Sequence, residues 1–174
     1  MTRHLAILLL AFFTLQSTTV FADDAPANDT PELEVLSNYI GRYEVAITSG
    51  DSPFTKGEST AKWILDGRFV QQTGKITSAD GTIVLKITTL MTYDKTEKTY
   101  RMWSFLSDGT TSESSGKWDA KTRTLTSIRR GGGSTTTTTA KFAENGDEEW
   151  LMVTKNQNNQ VVDKLGGINT RRKQ

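Results

Sequence analysis

The stretch Trp63-Ile64-Leu65-Asp66-Gly67-Arg68-Phe69-Val70-Gln71-Gln72 decides the fold that we expect for this chain of 174 residues. Both ends of the stretch are apolar and rich in residues that favour strands, and its centre is Asp66-Gly67. An Asp-Gly pair between two such runs is a strong signal for a two-residue hairpin turn. We therefore predict two adjacent antiparallel strands joined at this pair.

Side-chain alternation along the hairpin indicates what the two strands bury. Counting by twos from the turn places Trp63 and Leu65 on one face of the first strand, while Phe69 and Gln71 share a face of the second. This face is bulky, aromatic and only slightly polar. It is typical of the lining of a β-barrel or the inner face of a β-sandwich, and it indicates no chemistry by itself.

Outward from the hairpin, a period of two continues along almost the whole chain. Turn residues separate the alternating runs, which predicts strands at 42–48, 57–65, 68–78, 82–93, 99–107, 110–118, 123–130 and 148–155, with a final strand around Ile168. The Ser134–Thr139 run allows two interpretations, because its β-branched threonines favour a strand whereas the preceding glycines suit a flexible loop. We favour the strand.

A different pattern precedes the first strand. The run from Thr30 to Gly41 has a capping residue, a proline in its first turn, early acidic residues and a terminal glycine, which are helix start and stop signals. Leu33, Leu36 and Ile40 share one face of this helix. We therefore expect a short amphipathic helix over 30–40 that lies against the sheet as a plug.

These elements together predict an all-β fold: a single antiparallel, lipocalin-like β-barrel of about 8–10 strands with one short N-terminal helix. Closure removes the exposed edges that so many strands would otherwise leave. A barrel of this size also encloses enough volume for a small ligand. The opposing class is a β-sandwich or open sheet without a cavity.

The N-terminal residues predict export. Residues 1–22 combine a short basic start, an apolar core from Leu5 to Phe13 and small residues before Asp23, which is the pattern of a secretory signal peptide cleaved after Ala22. Residues 23–29 are then a disordered linker and 30–174 a single barrel domain. The expected location is periplasmic or secreted.

Removal of the leader changes the chemical inventory. The chain loses Arg3, which leaves 20 basic against 20 acidic residues, so no charge excess favours nucleic acid or an anionic membrane. It also loses its single histidine, His4, and there is no cysteine. The commonest general base, the thiolate nucleophile and the usual ligands of zinc and haem are therefore missing. We expect no cofactor, no metal site and no catalytic residues.

Several short motifs together resemble a known family. They are the helix followed by Ile40-Gly41-Arg42-Tyr43, then WILDGRFVQQ at 63–72, Met91-Thr92-Tyr93-Asp94, Gly116-Lys117-Trp118-Asp119 and Thr124-Leu125-Thr126. In this order they are similar to the uncharacterised bacterial family called domain of unknown function 1579, over about 33–172. The resemblance implies a lipocalin-like (calycin-type) barrel and implies no activity.

If the barrel has a cavity, its wall should carry bulky residues that alternate in step on consecutive strands. The predicted ligand pocket consists of Trp63, Phe69, Gln71, Met91, Arg101, Trp103 and Phe105. In this hypothesis Gln71 and Arg101 orient the ligand, and Arg101 pairs with a carboxylate. The alternative is that Arg101 reaches solvent. Likewise, the four tryptophans form either a stacking pocket or simply the core.

Two function classes remain open at this stage. The first is a binding protein for a small apolar or amphipathic ligand, which is the expected partner. The second is an enzyme that works through carboxylates or tyrosine alone, and a solidly packed interior would leave a structural or interaction module instead. Glu44, Glu58, Glu113 and Glu149 have the parity of solvent-facing residues, so a pair of inward carboxylates has no support in the sequence.

Overall fold

The computed structural model describes residues 25–173. The predicted signal peptide and its cleavage site lie outside the described residues. The strands are β1 (Gly41–Ser49), β2 (Phe54–Ile64), β3 (Phe69–Ser78), β4 (Val84–Asp94), β5 (Thr99–Leu106), β6 (Thr111–Asp119), β7 (Thr124–Gly131), β8 (Ser134–Phe142), β9 (Glu148–Asn156) and β10 (Val161–Arg171).

All ten strands form one closed antiparallel barrel in which each strand pairs with its neighbours in the chain and β1 pairs with β10. The predicted all-β barrel with one short helix is therefore confirmed, and the sandwich is excluded. The threonine run lies within β8, as the strand interpretation predicted.

The hairpin forms where Asp66-Gly67 predicted it. Arg68 N donates to Leu65 O at 3.1 Å, and the two central residues have φ values of 57° and 72°, which is the left-handed conformation that a two-residue turn of this kind requires. Leu65 also has a positive φ and is 65% exposed. It belongs to the turn, so its expected place on the face of Trp63 is wrong.

The register of this hairpin corrects the expected face of β3. Trp63 pairs with Val70, and Val70 in turn pairs with Met91 of β4. Directly opposed residues point to the same side of a sheet, so Val70 faces inward with Trp63. Phe69 and Gln71 have the opposite parity and lie on the outer face, where they pair with Ile64 and Lys62.

One end of the barrel is closed by a 3-10 helix over Pro31–Tyr39. Leu33, Leu36 and Tyr39 are buried, a spacing of three that matches the three residues per turn of this helix. The expected face, which contained Ile40, assumed an α-helix, and Ile40 is instead the residue that ends the helix. Among residues 25–173, no helix is both long and apolar enough to cross a membrane.

The helix packs on side chains from the strand ends that surround it. Tyr39 meets Phe142 edge to face, with ring centroids 4.9 Å apart, and Tyr100 donates to Glu32 O at 2.9 Å. The same core includes Trp63, Val70, Met91 and Leu125. The hydrophobic core thus occupies the helical end of the barrel and leaves the other end free for a cavity.

The segment before the helix also contacts this end. Ala27 N donates to Gly67 O at 3.1 Å, and Asp29 accepts hydrogen bonds from Arg68 and Lys95. The hydrogen bond from Arg68 is the main cause that lowers the pKa of Asp29 to about 2. The described part of the expected linker, residues 25–29, is therefore attached to the barrel.

Candidate functional site

A cavity of about 600 Å³ occupies the half of the barrel that the core leaves free. It reaches the end opposite the helix, where the β1–β2 connection contributes Asp51, Ser52 and Pro53 to its wall. Sites for small molecules usually measure about 300 to 1,000 Å³. The cavity is thus large enough to hold one small molecule and has an opening through which it can enter.

The cavity has an aliphatic wall and a hydroxyl wall. In the circular strand order, β1 and β4 lie across the barrel from β6 and β9, and β3 lies across from β8. The aliphatic wall, on β1, β3 and β4, consists mainly of Val45, Ile47, Ile76, Leu85 and Ile87, with Gln72 and Thr89 beside them. The hydroxyl wall, on β6 to β8, consists mainly of Ser112, Ser114, Ser127, Thr136 and Thr138. A molecule in the cavity therefore meets mainly aliphatic groups on one side and mainly hydroxyl groups on the other.

Glu148 lies in the cavity wall towards the helical end. It is the first residue of β9 and is only 6% exposed. Its Oε2 accepts a hydrogen bond of 2.7 Å from Asn169 Nδ2, and Asn169 Oδ1 accepts one of 3.2 Å from Trp150 Nε1. All three side chains line the cavity, so a carboxyl, an amide and an indole meet in a single hydrogen-bonded group, the Glu148–Asn169–Trp150 cluster.

Burial changes the acidity of this cluster. It raises the pKa of Glu148 from 4.5 to about 7, and the hydrogen bond from Asn169 opposes the rise only in part. The neighbouring Tyr39 and Tyr43 also have a raised pKa, first because they are buried and then in part because of the charge of Glu148. Near neutral pH, Glu148 therefore exists in comparable amounts with and without its proton.

A second polar group lies around Tyr43, beside the helix. Tyr43 Oη donates to Asn38 O at 2.8 Å and accepts from Arg171 Nη2 at 2.7 Å. Arg171 Nη2 also donates to Asn38 O at 3.1 Å. These bonds join the helix to β1 and β10 and direct the guanidinium towards the helix, so Arg171 serves the closed end of the barrel.

Besides Lys75 of β3, one cationic side chain lines the cavity, namely Arg129 of β7 on the hydroxyl wall. It is exposed, and its Nη2 donates to Thr136 Oγ1 at 3.2 Å. Thr136 is itself buried and shares a 2.9 Å hydrogen bond with Thr154. Since Arg129 is exposed and Glu148 is not, the positive group is accessible to solvent whereas the carboxyl is enclosed.

The structure does not bring the seven predicted pocket residues together. Trp63 and Met91 do point into the barrel, at 6% and 2% exposure, but both belong to the core beneath the cavity. Phe69 and Gln71 lie on the outer face of β3, and the inward residue that lines the cavity there is Gln72. The expected orienting role of Gln71 is therefore wrong.

The remaining three residues share a face, as predicted, but it is the outer face of β5. Met91 pairs with Met102, so Met102 faces inward and Trp103 outward. Arg101 forms an ion pair with Glu113 and lies over the Trp103 ring at 5.8 Å, and Phe105 is 47% exposed. The alternative that Arg101 reaches solvent is the one that fits.

The four tryptophans occupy separate environments. Trp63 is in the core, Trp118 packs near Phe142 with ring centroids 6.0 Å apart, Trp103 is on the outer face and Trp150 lines the cavity. They do not form a shared stacking pocket. Trp150 is the one of the four whose indole would contact a ligand in the cavity.

Of the functional residues that the sequence analysis missed, Glu148 could have been found from parity. Glu149 was assigned to solvent because it alternates with Trp150, and the same count places Glu148 on the inner face with Trp150 and Met152. Glu149 is indeed exposed, as are Glu44, Glu58 and Glu113. Asn169 had no signal of its own, because the final strand was predicted only around Ile168.

The surface depressions and the acidic residues offer less. One depression of about 350 Å³ beside the helix is lined by Glu34, Asn38, Arg123 and Arg171, and none of these side chains is buried. A groove of about 840 Å³ on the outer face of β8 and β9 is lined by Thr135, Thr137, Leu151 and Val153, and it contains no buried ionisable group. Within 25–173, no three residues of the metal-binding types come together in a group that could hold an ion. The interior cavity is therefore the candidate site.

Comparison of the chain with models of known protein families gives no match, and no curated protein matches it. The functional conclusions below therefore depend on the geometry of the cavity and on the sequence.

Proposed function

We propose that this protein is an exported binding protein that holds one small amphipathic molecule in its barrel. The observation that carries the proposal is the cavity of about 600 Å³ with an aliphatic wall across from a hydroxyl wall. An apolar core in this half of the barrel would be more stable, because aliphatic side chains could fill the space without buried hydroxyl groups. An unfilled cavity and hydroxyl groups that can form hydrogen bonds with a ligand are features that binding requires.

The proposal includes export and family membership. Export is supported by the apolar leader at residues 1–22. Membership of domain of unknown function 1579 is supported by the motifs at 63–72 and 91–94 and by the barrel that the resemblance implies. The family adds no ligand, so the class of ligand follows from the cavity alone.

The competing class, an enzyme that works through two carboxylates, lacks an observation in its favour. The hydrogen-bond partner of Glu148 is an amide, and its pKa carries no contribution from a second carboxylate. The other acidic residues of the cavity wall, Asp51, Glu58 and Asp163, belong to the β1–β2 connection or to the exposed parts of β2 and β10.

Native mass spectrometry of the protein purified from its own host tests the proposal. We expect an additional mass from one bound molecule. Thr138→Phe should abolish it because the new ring fills the cavity, whereas Thr137→Phe, on the outer face of the same strand, should retain it. A protein without bound mass that also gives identical tryptophan emission with and without host extract would favour a structural module instead.

A further inference from the structure

We propose that Glu148 binds the ammonium group of an amphipathic amine at the inner end of the cavity. This inference rests on the proposed binding function and adds the chemistry of the ligand. It starts from the position of one carboxyl group, which is 94% buried and yet forms part of the cavity wall.

The carboxyl group of Glu148 has too few partners in the protein for its charged form. Asn169 supplies one hydrogen bond to Oε2, and no ion pair among residues 25–173 includes Glu148. A buried carboxylate without a cation is costly, and a cation that enters the site removes that cost. A ligand ammonium group would supply both the charge and the missing hydrogen-bond donors.

The residues around Glu148 also favour a cation over an anion. Trp150 lies two residues along the same face of β9, and an indole ring attracts cations through its π-system. The arginines at this end, Arg171 and Arg123, are bound to Asn38 and do not line the cavity. An anionic group would therefore meet a carboxyl and no positive charge at the inner end.

The two walls determine the chemical character of the ligand beyond its ammonium group. Beyond the ammonium group the molecule meets the aliphatic and hydroxyl walls, and at the open end it meets the exposed Arg129. A primary amine with an apolar body satisfies the inner end and the aliphatic wall together. The simplest probes are three molecules with the same chain and different head groups: decylamine, decanol and decanoate.

Titration of the protein with these probes at pH 7.5, followed by calorimetry and by tryptophan emission, tests the inference. Decylamine should bind about 10- to 100-fold more tightly than decanol, the range that a charged hydrogen bond provides. Glu148→Gln should reduce that preference to about twofold or less, whereas the matched control Glu149→Gln, one residue away on the outer face, should preserve it.

The outcomes separate the inference from the proposed function. Equal binding of decylamine and decanol, tighter binding of decanoate, or an amine preference that survives Glu148→Gln would overturn the inference and leave the binding function intact. Failure of all three probes would also overturn the inference. Whether the binding function fails with it is then decided by the mass of the molecule that accompanies the native protein.

Discussion

Asn169 donates a hydrogen bond from Nδ2 to Oε2 of Glu148, at 2.7 Å, within the inner wall of the barrel. The bond favours the charged carboxylate, whereas burial favours the neutral acid. Burial has the larger effect, so the pKa of Glu148 is raised to about 7. This balance makes the stability of the barrel dependent on pH, and it leads to the first two predictions.

Stability should fall as the pH rises from 4.5 to about 7. In this window Glu148 is protonated in the folded protein and ionised in the unfolded chain, so the folded state binds more protons and loses stability with rising pH. The expected loss is about 3 kcal/mol by pH 8. Asn169, Tyr39 and Tyr43 are the polar groups that face Glu148, and both tyrosines stay neutral throughout the window.

Urea unfolding at pH 5 and pH 8 measures this difference. In Glu148→Gln most of the loss should disappear, because glutamine does not ionise, and the variant should be more stable than the wild type at pH 8. Glu149→Gln, which removes an exposed carboxyl from the same strand, should keep the pH dependence of the wild type. Identical pH profiles for the wild type and Glu148→Gln would contradict the raised pKa.

Asn169→Leu should destabilise the protein, and more strongly at pH 8 than at pH 5. The substitution removes the donor to Glu148 and the acceptor of Trp150 Nε1, and each unpaired buried group costs about 1–3 kcal/mol. At pH 5 the carboxyl group of Glu148 is neutral, so the loss of its hydrogen-bond donor costs less stability. A double-mutant cycle with Glu148→Gln measures the coupling by urea unfolding, and a coupling energy near zero would show that the two side chains act independently.

Two tryptophans on opposite faces should differ in their contribution to stability. Trp63→Ala should cost about 3–5 kcal/mol, because Trp63 belongs to the closed-end core. Trp103→Ala should cost about 1 kcal/mol or less, because Trp103 lies on the outer face beneath the Arg101 guanidinium. Thermal or urea unfolding of the two variants gives the comparison directly. Equal costs would mean that the face assigned to β5 is wrong.

Arg101→Met should leave both stability and ligand binding almost unchanged. Arg101 forms a partly exposed ion pair with Glu113, and such pairs contribute about 1 kcal/mol or less. Its Nε is buried without a hydrogen-bond partner, which reduces the cost of removing it further. The measurements are urea unfolding and titration with decylamine. Weaker binding by tenfold or more would place Arg101 in the binding site after all.

The fold could be predicted from the sequence because its signals are local. Each strand alternates with a period of two and each turn has its own residues, as at Asp66-Gly67, so strand positions and hairpin order follow directly. Closure followed from the number of strands and the need to protect their edges. The helix type was missed because its start and stop signals are common to α and 3-10 helices, and only the buried Tyr39 distinguishes them.

The site could be predicted only in part, because it depends on which face of each strand points inward. The turn at Asp66-Gly67 already pairs Trp63 with Val70, so the register of the hairpin places Val70 on the inner face. The prediction instead chose Phe69 and Gln71 because they are bulky, and it therefore assigned the wrong face of β3. On β5 the aromatic residues Trp103 and Phe105 lie outside. A cavity is also space that is left unfilled, and its serines and threonines give no hydrophobic signal.

The last prediction concerns Gly167, because the absence of a side chain there leaves the space that the Trp150 ring occupies. A Cβ atom at Gly167 would lie 2.6 Å from Trp150 Cζ2 and 2.4 Å from Ala46 O, so Gly167→Ala must displace the ring or the backbone of β1. We expect a loss of stability of about 1–3 kcal/mol, a changed near-ultraviolet spectrum and weaker binding of decylamine.

Gly131→Ala is the matched control, because its Cβ would have no neighbour within 4 Å and Gly131 also lies in a strand of the same barrel. Its stability should be unchanged or higher by about 0.4–1 kcal/mol, since alanine restricts the unfolded chain. Gly167→Ala could leave both the near-ultraviolet spectrum and decylamine binding unaltered. That result would mean that the Trp150 ring is not held in a fixed position by its close packing on Gly167. The Glu148–Asn169–Trp150 cluster would then not be the fixed inner end that the ligand requires.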